Sequence, residues 1–198
     1  MDWDGTENGT SGEIVQTARS LTAGWSEART RVSGKVALAR ASRCASASAL
    51  SSATTRLQPG LGLGRTIAAR YADAIERGDA DTLVSMLTED ATWSMPPIPT
   101  WFCGHQPVRE FLVRYPLTER WKHRPARANG QLAVGCYLFD QDNGRYLPAV
   151  LDVLTLAGEK IAAVTGFLTA SALERPPAAT RDTGAEVFAR FGLPAELA

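Results

Sequence analysis

The chain has 198 residues, of which 44% are hydrophobic, and its 21 basic and 21 acidic side chains cancel. This length suits one domain of ordinary size with tails, and the neutral balance produces no overall field that would attract nucleic acid or an anionic membrane. No apolar run approaches the roughly 20 residues of a membrane-spanning helix, and the acidic N-terminus is unlike a secretory signal. The three cysteines are far apart and form no zinc-binding pattern, so we predict a cytoplasmic protein without metal or cofactor.

Residues 1–64 differ in composition from the rest of the chain. Between positions 14 and 57 there are seven basic residues and one acidic residue, set among many Ser, Ala and Thr residues. Few large apolar side chains occur there, so the segment cannot bury enough surface to offset the entropy of ordering. We predict a mobile arm. Two alternatives stay open: a basic contact arm for nucleic acid or RNA polymerase, and the product of a shifted reading frame.

Helical periodicity starts after this arm. Apolar residues recur at helical spacing from Thr66 onward, and Gly78 is a suitable C-cap for this first helix. A short second helix follows an N-cap at Asp79 or Asp81. The segment ATWSM is then predicted to be a short strand that PPIP ends. The third helix has Pro107 in its first turn, a position that proline favours.

The rest of the chain is rich in strand patterns separated by glycine-containing turns. The predicted strands cover residues 120–129, 132–140, 146–156 and 160–168. This order predicts an α+β domain over residues 65–170, in which three N-terminal helices pack on one curved antiparallel sheet. Residues 171–198 are predicted to be a proline-rich linker followed by a short terminal helix.

Several segments resemble known proteins. RYADAIERGDADTLVSMLTEDATWSMPP resembles the opening of SnoaL-like and ketosteroid-isomerase-like proteins, in which a helix ending in Gly-Asp and a second ending in acid-Asp-Ala precede a strand that leads into Pro. MPPIPTWFCGHQPVREFL, ARANGQLAVGCYLFD, GRYLPAVLDVLTLAGEKIAAVTGFL and FARFGLPAEL are similar to the C-terminal domain of actinobacterial extracytoplasmic-function sigma factors of the SigG type. The resemblance runs from about Arg65 to Leu197 and implies a cone-shaped NTF2-like domain with a pocket.

The resemblance also implies domains that we do not find in the sequence. Sigma factors of this kind carry two helical domains before the pocket domain, one for the −10 element and the polymerase clamp and one helix-turn-helix for the −35 element. Residues 1–64 are too few for both and show no helix-turn-helix pattern. We therefore expect an accessory domain without its own DNA-reading regions, which binds no specific DNA by itself.

Three positions carry the chemistry that the resemblance implies. In ketosteroid-isomerase-like enzymes, a carboxylate on the first short strand is the base, while a Tyr on the first helix and a protonated Asp on a late strand bind the oxyanion. In this chain those positions hold Met95, Tyr71 and Asp152, respectively. Met cannot accept a proton, so the resemblance implies an oxyanion pair without its base, and we assign no catalytic residue.

Asp152 is also notable without any resemblance, because it lies within an otherwise apolar run. Strand alternation places Val150, Asp152 and Leu154 on one face. If that face is concave, burial favours the neutral acid and Asp152 can contact a ligand. The alternative is an ordinary hydrogen-bonded core residue, and Tyr71 has the same two interpretations.

Aromatic residues are concentrated between positions 93 and 139, where they either fill a core or line a cavity for an apolar ligand. We predict that one cavity is surrounded by Tyr71, Trp93, Met95, Trp101, Trp121, Asp152 and Leu168. The two histidines, His105 and His123, have no partners at metal-ligand spacing. His123 lies in the basic segment RWKHRPAR and is predicted to face solvent, with a proton-transfer site or an anion contact as the alternative.

Three functions stay open from the sequence. The first is a regulatory domain that binds a small apolar ligand or a protein surface in the control of transcription initiation. The second is an isomerase or polyketide-cyclase-like enzyme that uses Tyr71 and Asp152, which would be favoured if a carboxylate or a histidine reached the cavity opposite Asp152. The third is a degenerate fragment. Candidate partners are an apolar ligand, RNA polymerase or sigma-factor domains, and a second copy of the chain.

Overall fold

A computed structural model describes residues 61–172 and 183–198 of the chain. The predicted arm, up to residue 60, and the proline-rich linker at residues 173–182 lie outside the described residues. The helices are α1 (Leu61–Glu76), α2 (Ala80–Ser85), α3 (His105–Arg114) and α4 (Gly184–Ala189). The strands are β1 (Leu87–Met95), β2 (Ile98–Cys103), β3 (Trp121–Ala128), β4 (Gln131–Asp140), β5 (Arg145–Ala157) and β6 (Lys160–Leu168). In these ranges, no helix has both the length and the apolar character that a membrane span requires.

The six strands form one sheet in the order β2-β1-β6-β5-β4-β3. Strands β3 to β6 are the antiparallel meander that the turn pattern predicted. However, β1 runs parallel to β6, with Trp93 opposite Val164, so the sheet is mixed and the prediction of a fully antiparallel sheet is wrong. A parallel pair needs a long crossover between its strands. The chain supplies one here, because α3 and further strands lie between β1 and β6.

The first strand and its partner also differ from the prediction. β1 begins at Leu87, before the predicted segment ATWSM, and β2 was not predicted. The prolines after Met95 end β1 as expected, but they form a turn that returns the chain antiparallel to β1, with Trp93 opposite Phe102. Proline is tolerated in an edge strand because it lacks only a donor that faces away from the sheet. A strand pattern so short and so rich in proline is therefore hard to distinguish from a loop.

Helices α1, α2 and α3 cover the concave face of the sheet. α1 begins at Leu61, earlier than predicted, and buries Ile67, Tyr71 and Ile75 along one side. Gly78 follows with a φ of 68°, a left-handed conformation that glycine adopts without steric cost. Asp79 then caps α2, and its carboxylate accepts a hydrogen bond from the backbone N–H of Thr82 at 2.9 Å. The tight α1–α2 connection holds α1 across the sheet, where Tyr71 faces the strands.

Residues 183–198 pack on the opposite, outer face of the sheet. Phe188 of α4 is fully buried and meets the ring of Tyr137 edge-on, with centroids 5.0 Å apart. Gly135 on β4 leaves room for this segment, because a Cβ there would lie 2.6 Å from Leu193. Leu197 then pairs with β5 through two backbone hydrogen bonds of 2.9 Å to one residue. The terminal helix is present near its predicted position, and it covers the outer face with the chain's own residues.

Candidate functional site

A cavity lies between the helices and the concave face of the sheet and is partly open to solvent. Most of its lining is apolar; the lining residues are Ile75, Trp93, Met95, Phe111, Pro116, Trp121, His123, Cys136, Val150, Asp152, Gly166 and Leu168. The volume open to the centres of water molecules is about 40 Å³. Since one water needs about 10–15 Å³ on this measure, the cavity holds about three waters. A ring-sized ligand would therefore have to extend into the open mouth or displace side chains.

A buried hydrogen-bonded group forms one wall of the cavity. Tyr71 from α1 donates its hydroxyl hydrogen to Oδ2 of Asp152 at 2.8 Å, and the thiol of Cys136 lies 3.2 Å from the same oxygen. All three side chains are buried, with exposed fractions of 0% for Tyr71, 3% for Cys136 and 4% for Asp152. Asp152 is in the middle of β5 and Cys136 is on the adjacent strand β4. The carboxyl group therefore has two donors on one oxygen, while the other oxygen lies on the Gly166 side.

Burial and hydrogen bonding act in opposite directions on the carboxyl group of Asp152. Burial raises the pKa of Asp152, while the hydrogen bonds from Cys136 and Tyr71 and the electrostatic attraction of His123 partly oppose that rise. Burial also raises the pKa of Tyr71 and of Cys136 well above their usual values, and the carboxyl group of Asp152 adds to both shifts when it is ionised. Tyr71 and Cys136 therefore keep their protons and act as hydrogen-bond donors to Asp152.

Gly166 on β6 provides the space beside the carboxyl group. A Cβ at this position would lie 2.8 Å from Oδ1 of Asp152 and 3.2 Å from Cγ1 of Val150. Both distances are shorter than normal carbon contacts, so a larger residue would push the carboxyl group or the strand aside. The missing side chain thus leaves Oδ1 room at the cavity.

His123 on β3 forms a second polar group of the cavity, contrary to the prediction that it faces solvent. Its side chain is only 1% exposed, and its Nδ1 lies 3.1 Å from Oε1 of Glu76 at the end of α1. The same oxygen accepts the backbone N–H of His123 at 2.7 Å. The hydrogen bond from His123 is the main reason why the pKa of Glu76 is lowered. Strand alternation explains the burial, since Trp121 and His123 point inward while the basic residues between and after them are more exposed.

The structure brings most of the predicted site residues together. Those that line the cavity are Trp93, Met95, Trp121, Asp152 and Leu168. Tyr71 is hydrogen-bonded to Asp152 and packs on Trp93, with ring centroids 6.2 Å apart.

Trp101 is the exception among the predicted site residues. It is 46% exposed on the edge strand β2 and does not line the cavity. The register explains this outcome, because Phe102, not Trp101, is opposite Trp93. Successive side chains of a strand point to opposite faces, so Phe102 faces the core and Trp101 faces outward.

Among the lining residues that were not in the predicted site, three shape its polar wall: His123, Cys136 and Gly166. The burial of His123 could have been predicted from Trp121. The two residues are separated by one position, so on a strand they point to the same face. Cys136 had no role assigned from the sequence, and its raised pKa keeps it a thiol that donates to Asp152. No sequence signal marked Gly166 as the residue beside Asp152. Within residues 61–172 and 183–198, no three His, Cys, Asp or Glu side chains form a group that could hold a metal ion.

Comparison with known proteins agrees with this architecture. Residues 68–164 match the family model of the SnoaL-like domain. This part of the chain is therefore a SnoaL-like domain.

Over 132 residues, the chain is 32% identical to the ECF RNA polymerase sigma factor SigG of Mycobacterium tuberculosis, in both strain H37Rv and strain CDC 1551. The alignment covers 65% of this chain and 31% of the sigma factor, so the chain spans under a third of the length of these curated relatives.

Several solved structures are also similar. An NTF-2 like protein of unknown function from Burkholderia xenovorans LB400 has a TM-score of 0.47 and 16% identity, over 54% of this chain and 83% of that chain. A putative ketosteroid isomerase from Kribbella flavida has a TM-score of 0.44 and 20% identity, over 62% and 96% of the two chains. The epoxide hydrolase/cyclase-like enzyme SalBIII has a TM-score of 0.43 and 24% identity, over 55% and 92%. These similarities carry no information about activity.

Proposed function

We propose that the SnoaL-like domain binds a small apolar ligand in its cavity and acts as an accessory, regulatory domain in the control of transcription initiation. The observation that carries the ligand proposal is a buried carboxyl group, Asp152, in an otherwise apolar cavity wall. Burying a carboxyl group is unfavourable unless it is neutral or hydrogen-bonded, and Asp152 satisfies this requirement through Tyr71 and Cys136. The free side of the carboxyl group is complementary to a carbonyl or hydroxyl group on an apolar ligand.

The lining of the cavity supports binding without catalysis. Met95 on β1 lines the cavity at the position where the ketosteroid-isomerase-like pattern has its base. A thioether cannot accept a proton, so this position has no base for the proton transfer. We expect no isomerase activity on a Δ5-ketosteroid, because loss of a general base typically costs about 100- to 10,000-fold in rate. Turnover within about tenfold of a true isomerase would contradict this.

The link to transcription rests on the similarity to SigG. The match covers less than a third of SigG. A role of this chain in transcription is therefore our proposal. We propose RNA polymerase or sigma-factor domains as protein partners, and self-association into a homodimer as a second mode of assembly. A cytoplasmic location is part of the same proposal, since transcription takes place there.

The ligand proposal is tested by NMR titration of the ¹⁵N-labelled chain with cyclohexanone, an apolar ring that carries one carbonyl group. We expect saturable shifts at Trp93, Trp121 and Leu168, and a clear loss of affinity in Asp152→Leu with the fold retained. Absence of saturable shifts around the cavity would contradict the ligand proposal.

The regulatory proposal needs a different assay. We would add the purified 198-residue chain to a reconstituted transcription reaction with an actinobacterial RNA polymerase and an extracytoplasmic-function sigma factor. We expect the protein to change the transcript yield, and we expect this change to depend on added cyclohexanone. The dependence should be absent with Asp152→Leu. Equal yields with and without the protein would contradict a regulatory role in initiation.

An enzyme is the second candidate function, and one observation favours it. His123 reaches the cavity that Asp152 also lines, which supplies a proton-accepting group that Met95 cannot provide. The wall with Tyr71 and Asp152 could then stabilise a developing negative charge. If turnover of any carbonyl substrate is found, it should disappear in His123→Phe. Turnover that is unaffected by this change would remove the support for the enzyme.

A further inference from the structure

The Glu76–His123 pair fixes the hydrogen-bonding character of the imidazole ring. One carboxylate oxygen of Glu76 accepts the backbone N–H of His123 at 2.7 Å and lies 3.1 Å from its Nδ1. A carboxylate only accepts hydrogen bonds, and the lowered pKa of Glu76 keeps it in that form. When the ring is neutral, its proton is therefore on Nδ1, and Nε2 is a hydrogen-bond acceptor.

The other nitrogen, Nε2, has no donor among the described residues. The ring is 1% exposed and lines the cavity, so bulk water does not solvate it freely. Neighbouring donors are used elsewhere: the indole N–H of Trp121 donates to the carbonyl of Pro116 at 2.6 Å, and the thiol of Cys136, which is paired with His123 across the strands, donates to Asp152 at 3.2 Å. A buried acceptor in an apolar wall is unfavourable without a donor. Since the described residues supply no donor to Nε2, a water molecule or a ligand in the cavity is the remaining source.

The acceptor lies on a different part of the wall from Asp152. His123 is on β3 and Asp152 on β5, and β4 lies between these strands. Neighbouring strands are about 4.8 Å apart, so the two backbones are separated by about 10 Å. No hydrogen bond joins the side chains of His123 and Asp152 in the described part of the chain. The cavity therefore presents two polar positions along an apolar surface.

We infer that the ligand is an apolar ring compound that carries a hydroxyl group, and that this hydroxyl donates its hydrogen to Nε2 of His123. This inference rests on the proposed function, since it specifies a polar group of the ligand that would occupy the same cavity. Glu76 acts as a positioning residue, because it determines which nitrogen accepts. The rest of the ring contacts Trp121 and the apolar wall.

Phenol and toluene test the inference as a matched pair, because they differ by a hydroxyl in place of a methyl group. We would titrate both into the ¹⁵N-labelled chain at about pH 8, above the ordinary pKa of histidine, and compare the ratio of their dissociation constants. One net hydrogen bond corresponds to about a 2- to 10-fold difference in affinity, so the preference for phenol should fall by that factor in His123→Phe. His105→Phe is the control, since His105 contacts the carbonyl of Leu87 and does not line the cavity.

A spectroscopic measurement tests the inference without any variant. In ¹⁵N spectra of the imidazole at the same pH, Nδ1 of His123 should be the protonated nitrogen, and phenol but not toluene should shift the Nε2 signal. In Glu76→Leu the preference for Nδ1 should weaken. If both probes bind but neither the affinity ratio nor the Nε2 signal depends on the hydroxyl, the inference is wrong and the ligand proposal survives. If neither probe nor cyclohexanone binds, both are wrong.

Discussion

Replacing Asp152 by asparagine tests whether the buried carboxyl group is neutral. Burial raises the pKa of Asp152, so the folded state holds this proton at pH values where the unfolded chain has released it. Folding then binds a proton between the unfolded pKa of ~3.9 and the higher folded pKa. Stability must therefore fall as pH rises through that window. Below this pH window, Asp152 is protonated in both the folded and the unfolded state, so it does not lower the stability.

The size of the effect follows from the same linkage. Within the window, the wild-type free energy of unfolding decreases by about 1.4 kcal/mol per pH unit because of Asp152. The amide of the Asp152→Asn variant cannot ionise, and it keeps an oxygen that can accept the hydroxyl hydrogen of Tyr71, so the variant lacks this pH dependence. We expect Asp152→Asn to have similar stability to the wild type near the unfolded pKa of ~3.9 and greater stability at neutral pH.

Urea denaturation followed by tryptophan fluorescence, from about pH 2 to about pH 8, measures the difference between the two proteins across this window. Asp79→Asn is a control of opposite sign, because the hydrogen bonds from Thr82 lower the pKa of Asp79, so its contribution to stability is lost only as pH falls below the unfolded pKa of ~3.9. If the wild type instead gains stability over Asp152→Asn as pH rises, the hydrogen bonds outweigh burial and the carboxyl group is charged. That result would refute the reasoning.

Three other substitutions probe the same region and the outer face. Gly166→Ala places a Cβ 2.8 Å from Oδ1 of Asp152, so we expect a loss of about 1–3 kcal/mol in stability and weaker cyclohexanone binding in NMR titration. Tyr71→Phe removes the donor to Oδ2 and should cost about 1–3 kcal/mol in urea denaturation, with a further rise in the pKa of Asp152; unchanged stability would argue against the hydrogen bond. Phe188→Ala should cost about 3–5 kcal/mol while leaving the affinity for cyclohexanone unchanged, since this ring packs on the opposite face of the sheet.

The sequence predicted the parts of the fold whose pattern is local. The meander could be predicted because each turn lies next to the strands that it joins, and the caps at Gly78 and Asp79 follow from residues within a few positions. The parallel pairing of β1 and β6 could not, because nothing near Trp93 or Val164 indicates which strand will be its neighbour. β2 was missed for the related reason that its only sheet partner among the described strands is β1.

The site was predictable to the extent that it depends on strand parity. Alternation within β5 placed Asp152 inward correctly, and the same rule applied to Trp121 would have placed His123 inward. Trp101 was assigned to the cavity on its residue type, since the strand that turns it outward was not predicted. The contact between His123 and Glu76 joins residues 47 positions apart, so no local pattern could show it.

The parallel contact between β1 and β6 has a consequence for how the domain folds. Trp93 pairs with Val164, about seventy positions later in the chain, so this contact closes a long loop. Contacts of such long sequence separation slow folding, because the entropy of closing the loop is lost before the contact stabilises anything. During synthesis β1 therefore has its inner edge unpaired until residue 168 has left the ribosome, with only the β2 hairpin on its other side. The aromatic residues that later enclose the cavity are exposed during this interval, so slow translation or chaperone binding at this stage should affect yield more than changes on the outer face.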